Sequence, residues 1–341
     1  MTEATVIPDW AARAVNLAQP RLGARVVSSS DDFFASHDRL LDPAPAVFKP
    51  GVYDDNGKWM DGWESRRKRG RGHDHCIIAL GHPGVIRGFE IDTSHFTGNF
   101  APAASIEACR AASDAELDHA DWDELLSPTA LVGNTRQFFE IAPQGEAWTH
   151  IRLNIFPDGG IARLRVYGDI AFDPAKLLAS GEIDLVALEN GGRAIVASDA
   201  HFGELANLIA PGRGSDMGDG WETRRRREPG FDWGILKLGR AGKIDRLEVD
   251  TAHFKGNFAF KFAVYGALLG DLPDLALPAL SIYWAPLLAS TELSADAIHN
   301  FTAELQNIGP VDHLRIDMIP DGGISRLRAW GKPTKLDHDH D

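Results

Sequence analysis

Asp92, His95 and Asn99 fall within one short phrase, DTSHFTGNFA, and Asp250, His253 and Asn257 occupy the same places in DTAHFKGNFA, 158 residues later. An acid, an imidazole and a carboxamide held this close can orient a substrate and move a proton, and imidazole titrates near neutral pH. A carboxamide supplies both donor and acceptor, which suits an amide or ureido group. The plainer alternative is that His95 and Asn99 only satisfy backbone groups in a tight turn. Between the copies two of the intervening residues change, Ser94 to Ala252 and Thr97 to Lys255, while the trio stays, which favours a site.

A second repeated cluster reads DGWESRRKR from Asp61 to Arg69 and DGWETRRRR from Asp219 to Arg227. A guanidinium fork matches a carboxylate bidentately. In an extended segment Arg66 and Lys68 share one face and Arg67 and Arg69 the other, so one pair faces a pocket and the other is solvated or ion-paired. Arg66, Arg67, Arg224 and Arg225 are therefore the candidate anchors for an anionic substrate. Glu64 and Glu222, two residues before the first arginine, either buttress it or serve as acid/base groups. Trp63 reads as core. His73, Asp74 and His75 resemble a metal-ligand cluster, but the second copy has Phe231, Asp232 and Trp233, so no metal ligands are assigned. No metalloprotease, phosphate-loop, dinucleotide or nucleophile-elbow signature occurs.

The elements that must hold these groups are also duplicated. From Asp61 to Ala101 the chain aligns without a gap to Asp219–Ala259, with 23 of 41 positions identical. HIRLNIFPDGGIARLRVYG (150–168) matches HLRIDMIPDGGISRLRAWG (313–331), and RVVSSSDDFF (25–34) matches RAIVASDAHF (193–202) more loosely. Ile151, Leu153 and Ile155 alternate with His150, Arg152 and Asn154, which is the period of a half-buried strand. PDGG then supplies a turn, and Leu164 and Val166 alternate with Arg163 and Arg165, so the reading is a hairpin with one buried face. Val85–Asp92 alternates as well. Helical spacing is confined to Ala115–Leu126 and Ala295–Leu305. The pattern predicts an all-β chain of two tandem antiparallel sandwiches with short helices. The expected limits are an N-terminal arm over 1–20, modules over 21–172 and 186–333, a linker over 173–185 and a polar tail over 334–341.

Bulk properties bound the partners. A net charge of −14 disfavours nucleic acid and acidic membrane surfaces, although a local basic pocket for a small anion remains compatible with it. No apolar run of about 18 residues is present to span a bilayer. The first residues lack the pattern of a secretory leader, and two cysteines, Cys76 and Cys109, are no disulfide framework, so a reducing cytoplasm is expected.

The phrases DGWESRRKR, GFEIDTSHFTGNFAP and PDGGIARLRVYG, with their second-half counterparts, resemble the allantoicase family over roughly Pro20–Lys332, duplication included. The resemblance implies tandem jelly-roll modules of galactose-binding-like type and hydrolysis of allantoate to ureidoglycolate and urea in purine and ureide breakdown. It also implies a cytoplasmic homo-oligomer. Within it, Arg66 or Arg67 and Arg224 or Arg225 would hold the substrate carboxylate, and Asn99 and Asn257 a ureido group. Asp92, His95, Glu64, Asp250, His253 and Glu222 are the catalytic candidates. No cofactor is assigned, and a divalent metal stays open. Two other readings stand beside this one: a tandem jelly-roll module that binds a carbohydrate or other ligand without turnover, and a metal-dependent hydrolase of another ureide.

Overall fold

The computed structural model describes residues 6–142, 145–171 and 181–334. The chain divides into two compact units, Met1–Ala171 and Phe172–Asp341. Residue 172, residues 173–180 of the expected linker, residues 1–5 of the arm and residues 335–341 of the tail lie outside the described residues.

Each unit is organised by one 19-residue strand, Asp74–Asp92 in the first and Asp232–Asp250 in the second. In the first unit its opening half pairs with Arg25–Ser29 on one side and Trp148–Phe156 on the other, and the layer continues through Ala103–Cys109 to Asp123–Ala130. Its closing half pairs with Arg163–Ile170 and Arg136–Glu140, and the short strand Val15–Asn16 lies beyond Arg163–Ile170. All eight strands thus belong to one antiparallel network folded into two layers. Ile78, Ile106 and Leu153 from one layer meet Phe89, Ile91, Leu164 and Val166 from the other in a single buried cluster. Fully burying each such side chain contributes about 1.5–3 kcal/mol. The second unit repeats the plan, with Ile183–Asp184 in the place of Val15–Asn16.

The long strand crosses between layers at Leu80–Gly84. A Cβ on Gly81 would sit 2.4 Å from the Leu22 carbonyl oxygen, and one on Gly84 2.6 Å from a Leu17 methyl, so the bend requires glycine.

Two sequence expectations change here. The runs on either side of PDGG do not form a hairpin. Trp148–Phe156 pairs with the opening half of the long strand and Arg163–Ile170 with its closing half. Alternation reports a buried face but not the partner, and Gly160–Ile161 pairs instead with Trp63–Glu64. Nor are the two helical windows helices. Asp114–His119 is a short 3-10 turn followed by the strand Asp123–Ala130, and Ala295–Leu305 holds the strand Ile298–Phe301 paired to the long strand. In segments this short, sheet pairing overrides local spacing.

Cys76 and Cys109 are free and buried. Burial pushes the Cys109 thiol up to about 11 and Cys76 higher still. Since the thiolate is the reactive form, neither should react with a thiol reagent at pH 7 until denaturant is added. Rapid labelling of the native chain would contradict this burial.

Candidate active site

The repeated loop leaves the end of the long strand through a turn closed by its own aspartate. Asp92 accepts the Ser94 N–H at 2.7 Å, and Asp250 accepts the Ala252 N–H at 2.8 Å. The next bend falls on the histidine rather than on Gly98 or Gly256. His95 has φ 69° and His253 φ 72°, a left-handed conformation at a non-glycine residue. A second left-handed residue faces each one, Asn134 (φ 55°) or Asp296 (φ 49°), and its side chain accepts the histidine N–H at 2.8 Å. The Thr93 hydroxyl donates across to the same neighbouring loop, and fully buried Phe96 and Phe254 pin the turns from below. These bonds offset a conformational cost of about 1 kcal/mol or more at each left-handed residue.

Each imidazole is tied to a second loop. His95 Nε2 lies 3.0 Å from the Ala46 carbonyl oxygen, and His253 Nε2 lies 2.8 Å from that of Gly214. A carbonyl only accepts, so Nε2 carries the hydrogen and Nδ1 is the remaining basic nitrogen. The same second loop is gripped by a buried arginine: Arg163 Nε donates to Ala44 O, and Arg326 Nε to Gly212 O.

Asn99 and Glu64 are brought together. Asn99 Nδ2 donates to Glu64 Oε1 at 2.9 Å, and Asn257 to Glu222 at 2.6 Å. The glutamate sits on the strand Trp63–Glu64, whose pairing with Gly160–Ile161 explains why PDGG is repeated with it. Burial raises the proton affinity of Glu64 above the ordinary carboxylate range, and the Asn99 hydrogen bond and the Lys58 charge offset this only in part. A partly buried carboxyl of this kind beside a carboxamide suits proton transfer.

Arg66 and Lys68, like Arg224 and Arg226, take acidic partners, of which Asp31 and Asp199 come from the loosely repeated upstream segment. Arg66 takes Asp31 through its backbone N–H and Nε at 2.8 and 2.7 Å, and Arg224 takes Asp199 in the same way at 2.8 and 2.9 Å. Burial works to raise Asp31, but the hydrogen bonds and charge of Arg66 outweigh it and hold the carboxyl low. Lys68 meets buried Asp74 at 2.8 Å, and Arg226 meets Asp232 at 2.7 Å. Arg67 is largely exposed, 3.8 Å from Asp158. In the second unit a cavity of about 370 Å³ is lined by Asp199, Arg224, Arg225, Arg226, Arg227 and Asp232. The Arg226 Nε there is buried without a hydrogen-bond partner among the described residues. Arg226 was not among the sequence candidates. The signal for it was the retained positive charge at 68 and 226.

Asp92 and Asp250 bond their own turns rather than the histidines, and Asp250 also meets a guanidinium. Arg213 reaches Asp250 through Nε at 2.8 Å and Nη2 at 3.4 Å, beside a cavity of about 240 Å³ shared with Asp184, Glu248, Arg326 and Arg328. In the first unit Arg136 sits opposite Asp92 in the sheet and bonds buried Glu90 at 2.6 Å. The charge is retained although its source has moved. Asp184 in the second cavity is raised to about 6 by burial, against the backbone N–H groups and Arg328 that lower it. A carboxyl raised above its unfolded value of 3.8 contributes stability fully below that pH and loses it as pH rises through about 6. Asp184→Asn should therefore melt above the parent at pH 7.5, with the gap closing towards pH 4. A constant gap in a pH series of thermal melts would rule this out. Among the described residues, no group of three or more His, Cys, Asp or Glu side chains is arranged to hold a metal ion.

Two antiparallel jelly-roll sandwiches in tandem, each with the same loop, carboxyl–carboxamide pair and cationic segment, define a duplicated β-sandwich protein. A family model described as the allantoicase repeat matches residues 15–171 and again 183–334. "Probable allantoicase 1" of Burkholderia mallei is 52% identical over 96% of this chain and 97% of its own length. "Probable allantoicase" of Ralstonia nicotianae is 51% identical over 95% of this chain and 96% of its own. The crystal structure of allantoicase from Saccharomyces cerevisiae is 38% identical, covers 94% of this chain and 93% of that one, and superposes with a TM-score of 0.78. The chain belongs to the allantoicase family and is a hydrolase of that class.

Proposed function

We propose that the chain hydrolyses allantoate to ureidoglycolate and urea at its repeated loop sites. The observation that carries this reading is the Glu64–Asn99 pair, reproduced as Glu222–Asn257 with a proton-hungry carboxyl in the first copy. Allantoate has a central carbon bearing a carboxylate and two ureido groups. The exposed arginines Arg66 and Arg67, or Arg224 and Arg225 with half-buried Arg226, anchor the carboxylate. Asn99 or Asn257 aligns the leaving ureido group. Glu64 or Glu222 donates the proton that urea needs as the C–N bond breaks and its electron pair moves to nitrogen. Water supplies the oxygen that remains on carbon, and the Nδ1 of His95 or His253 takes up its proton. Asp92 and Asp250 shape the loop that presents these groups.

The reading includes a cytoplasmic homo-oligomer. Leu275, Ile282 and Tyr283, exposed apolar side chains within one short stretch of chain, support the oligomer. His95→Ala and His253→Ala, singly and together, test the base. Loss of general base catalysis should lower kcat about 10²–10⁴-fold in the double variant, with each single variant keeping the other copy's share. A double variant at parental kcat removes histidine from the mechanism.

A further inference from the structure

The outer face of the first layer differs between the units in a way the duplicated loop does not. In the first unit, strand pairing sets His75 beside Asn154 and Asn154 beside Ser105, while Arg152 lies beside Glu107 and Glu107 beside Glu124. The corresponding second-unit residues are Trp233, Asp317 and Ala263, then Arg315, Tyr265 and Pro286. There the face is filled. Arg315 spends Nε on Asp317 at 2.7 Å and Nη1 on Ser281 at 2.9 Å, its guanidinium stacks 5.2 Å from Trp233, and Leu277 and Trp284 pack over Ile235.

In the first unit the same face is a cavity of about 350 Å³. Arg152 donates Nε to Glu107 at 2.8 Å and lies 4.5 Å over Trp122, leaving its two terminal nitrogens without a bonded partner among the described residues. Asn154, only 4% exposed, is fully engaged with Ser105, Glu107 and His73, and so fixes the floor. Its bond and that of Arg152 both go to Oε2 of Glu107, so Oε1 is open among the described residues. Burial and the nearby Arg152 charge hold His75 below the usual imidazole range, which leaves a neutral ring with one donor and one acceptor.

Two adjacent guanidinium nitrogens match a carboxylate, and an open carboxylate oxygen alongside them asks for an N–H. We propose that this cavity, present in the first unit only, binds a small carboxylate that also carries N–H donors, the chemistry that ureido acids and amino acids share. The site is separate from the repeated loops and does not depend on their hydrolytic role.

The test is a titration of the full chain, labelled at histidine, with N-carbamoylglycine, glycine and acetate. His73→Phe and His75→Trp, the residues of the second unit, assign the two ring signals. The site predicts saturable shifts of both signals with N-carbamoylglycine or glycine, and the tighter of the two identifies the source class. Acetate, lacking N–H groups, should bind about tenfold more weakly, and Arg152→Met should weaken binding by about tenfold or more. Absence of saturable shifts, equal binding of acetate, or unchanged binding in a folded Arg152→Met chain would overturn the proposal. Should that variant not fold, calorimetry on H73F/H75W decides: one binding event fewer per chain supports the site, and unchanged stoichiometry refutes it.

Discussion

Glutamine at both Glu64 and Glu222 is expected to lower kcat on allantoate by about 10²–10⁴-fold, the range for losing a positioned general acid. The amide oxygen of glutamine still accepts the Asn99 or Asn257 donor, so the turn keeps its bond and loses only the transferable proton. KM and melting temperature should therefore stay near parental values. Each single variant should retain the share of its intact partner. A double variant that turns over at the parental rate places the acid elsewhere. One that loses activity together with many degrees of melting temperature makes the pair structural.

The largest effect on stability is expected at Arg163. The residue is 1% exposed, and its guanidinium donates to Ala44 O, Asp61 O, Ala162 O and Asp61 Oδ2. Arg163→Met leaves those carbonyls short of donors and strands the buried Asp61 carboxylate, and breaking a buried pair in this way costs about 3–5 kcal/mol. Burial works to raise Asp61, but Arg163, the Val47 N–H and the Arg39 charge together outweigh it and hold the carboxyl low. The lost stability is therefore present above the unfolded carboxylate pKa and disappears as pH falls through the lower folded one. Arg163→Lys keeps the charge but not the planar fork and should fall between the two. Denaturant midpoints of the three chains at pH 7 and pH 3 test this. A Met variant within about 1 kcal/mol of the parent at pH 7 would show that the pair contributes little net stability. Because Ala44 and Ala46 belong to one loop, the same variant should also release the carbonyl that His95 bonds.

The two-module sandwich was legible because burial follows sequence period: Ile151, Leu153 and Ile155 point inward, as do Leu164 and Val166. Strand partners were not legible, since alternation is satisfied equally by a hairpin or by two arms of one long bent strand. Of the site, Asn99 and Glu64 could be named but not joined, being 35 residues apart in sequence. Spacing leaves Glu64 open as either a buttress for Arg66 or an acid/base group, and Asp31 takes the buttressing role from a segment whose repeat is weak. The left-handed residue of the loop is His95 and not its glycine, Gly98, and it is held there by the Asn134 side chain. Such a conformation comes from a long-range hydrogen bond and leaves no local trace.

The most direct test of hydrolysis at the repeated loops is the urea released when purified chain is mixed with allantoate, measured against allantoate consumed. One urea per allantoate, reduced to near background in E64Q/E222Q, is the predicted result. No urea from the parent chain, or the same release rate from the double variant, would contradict it.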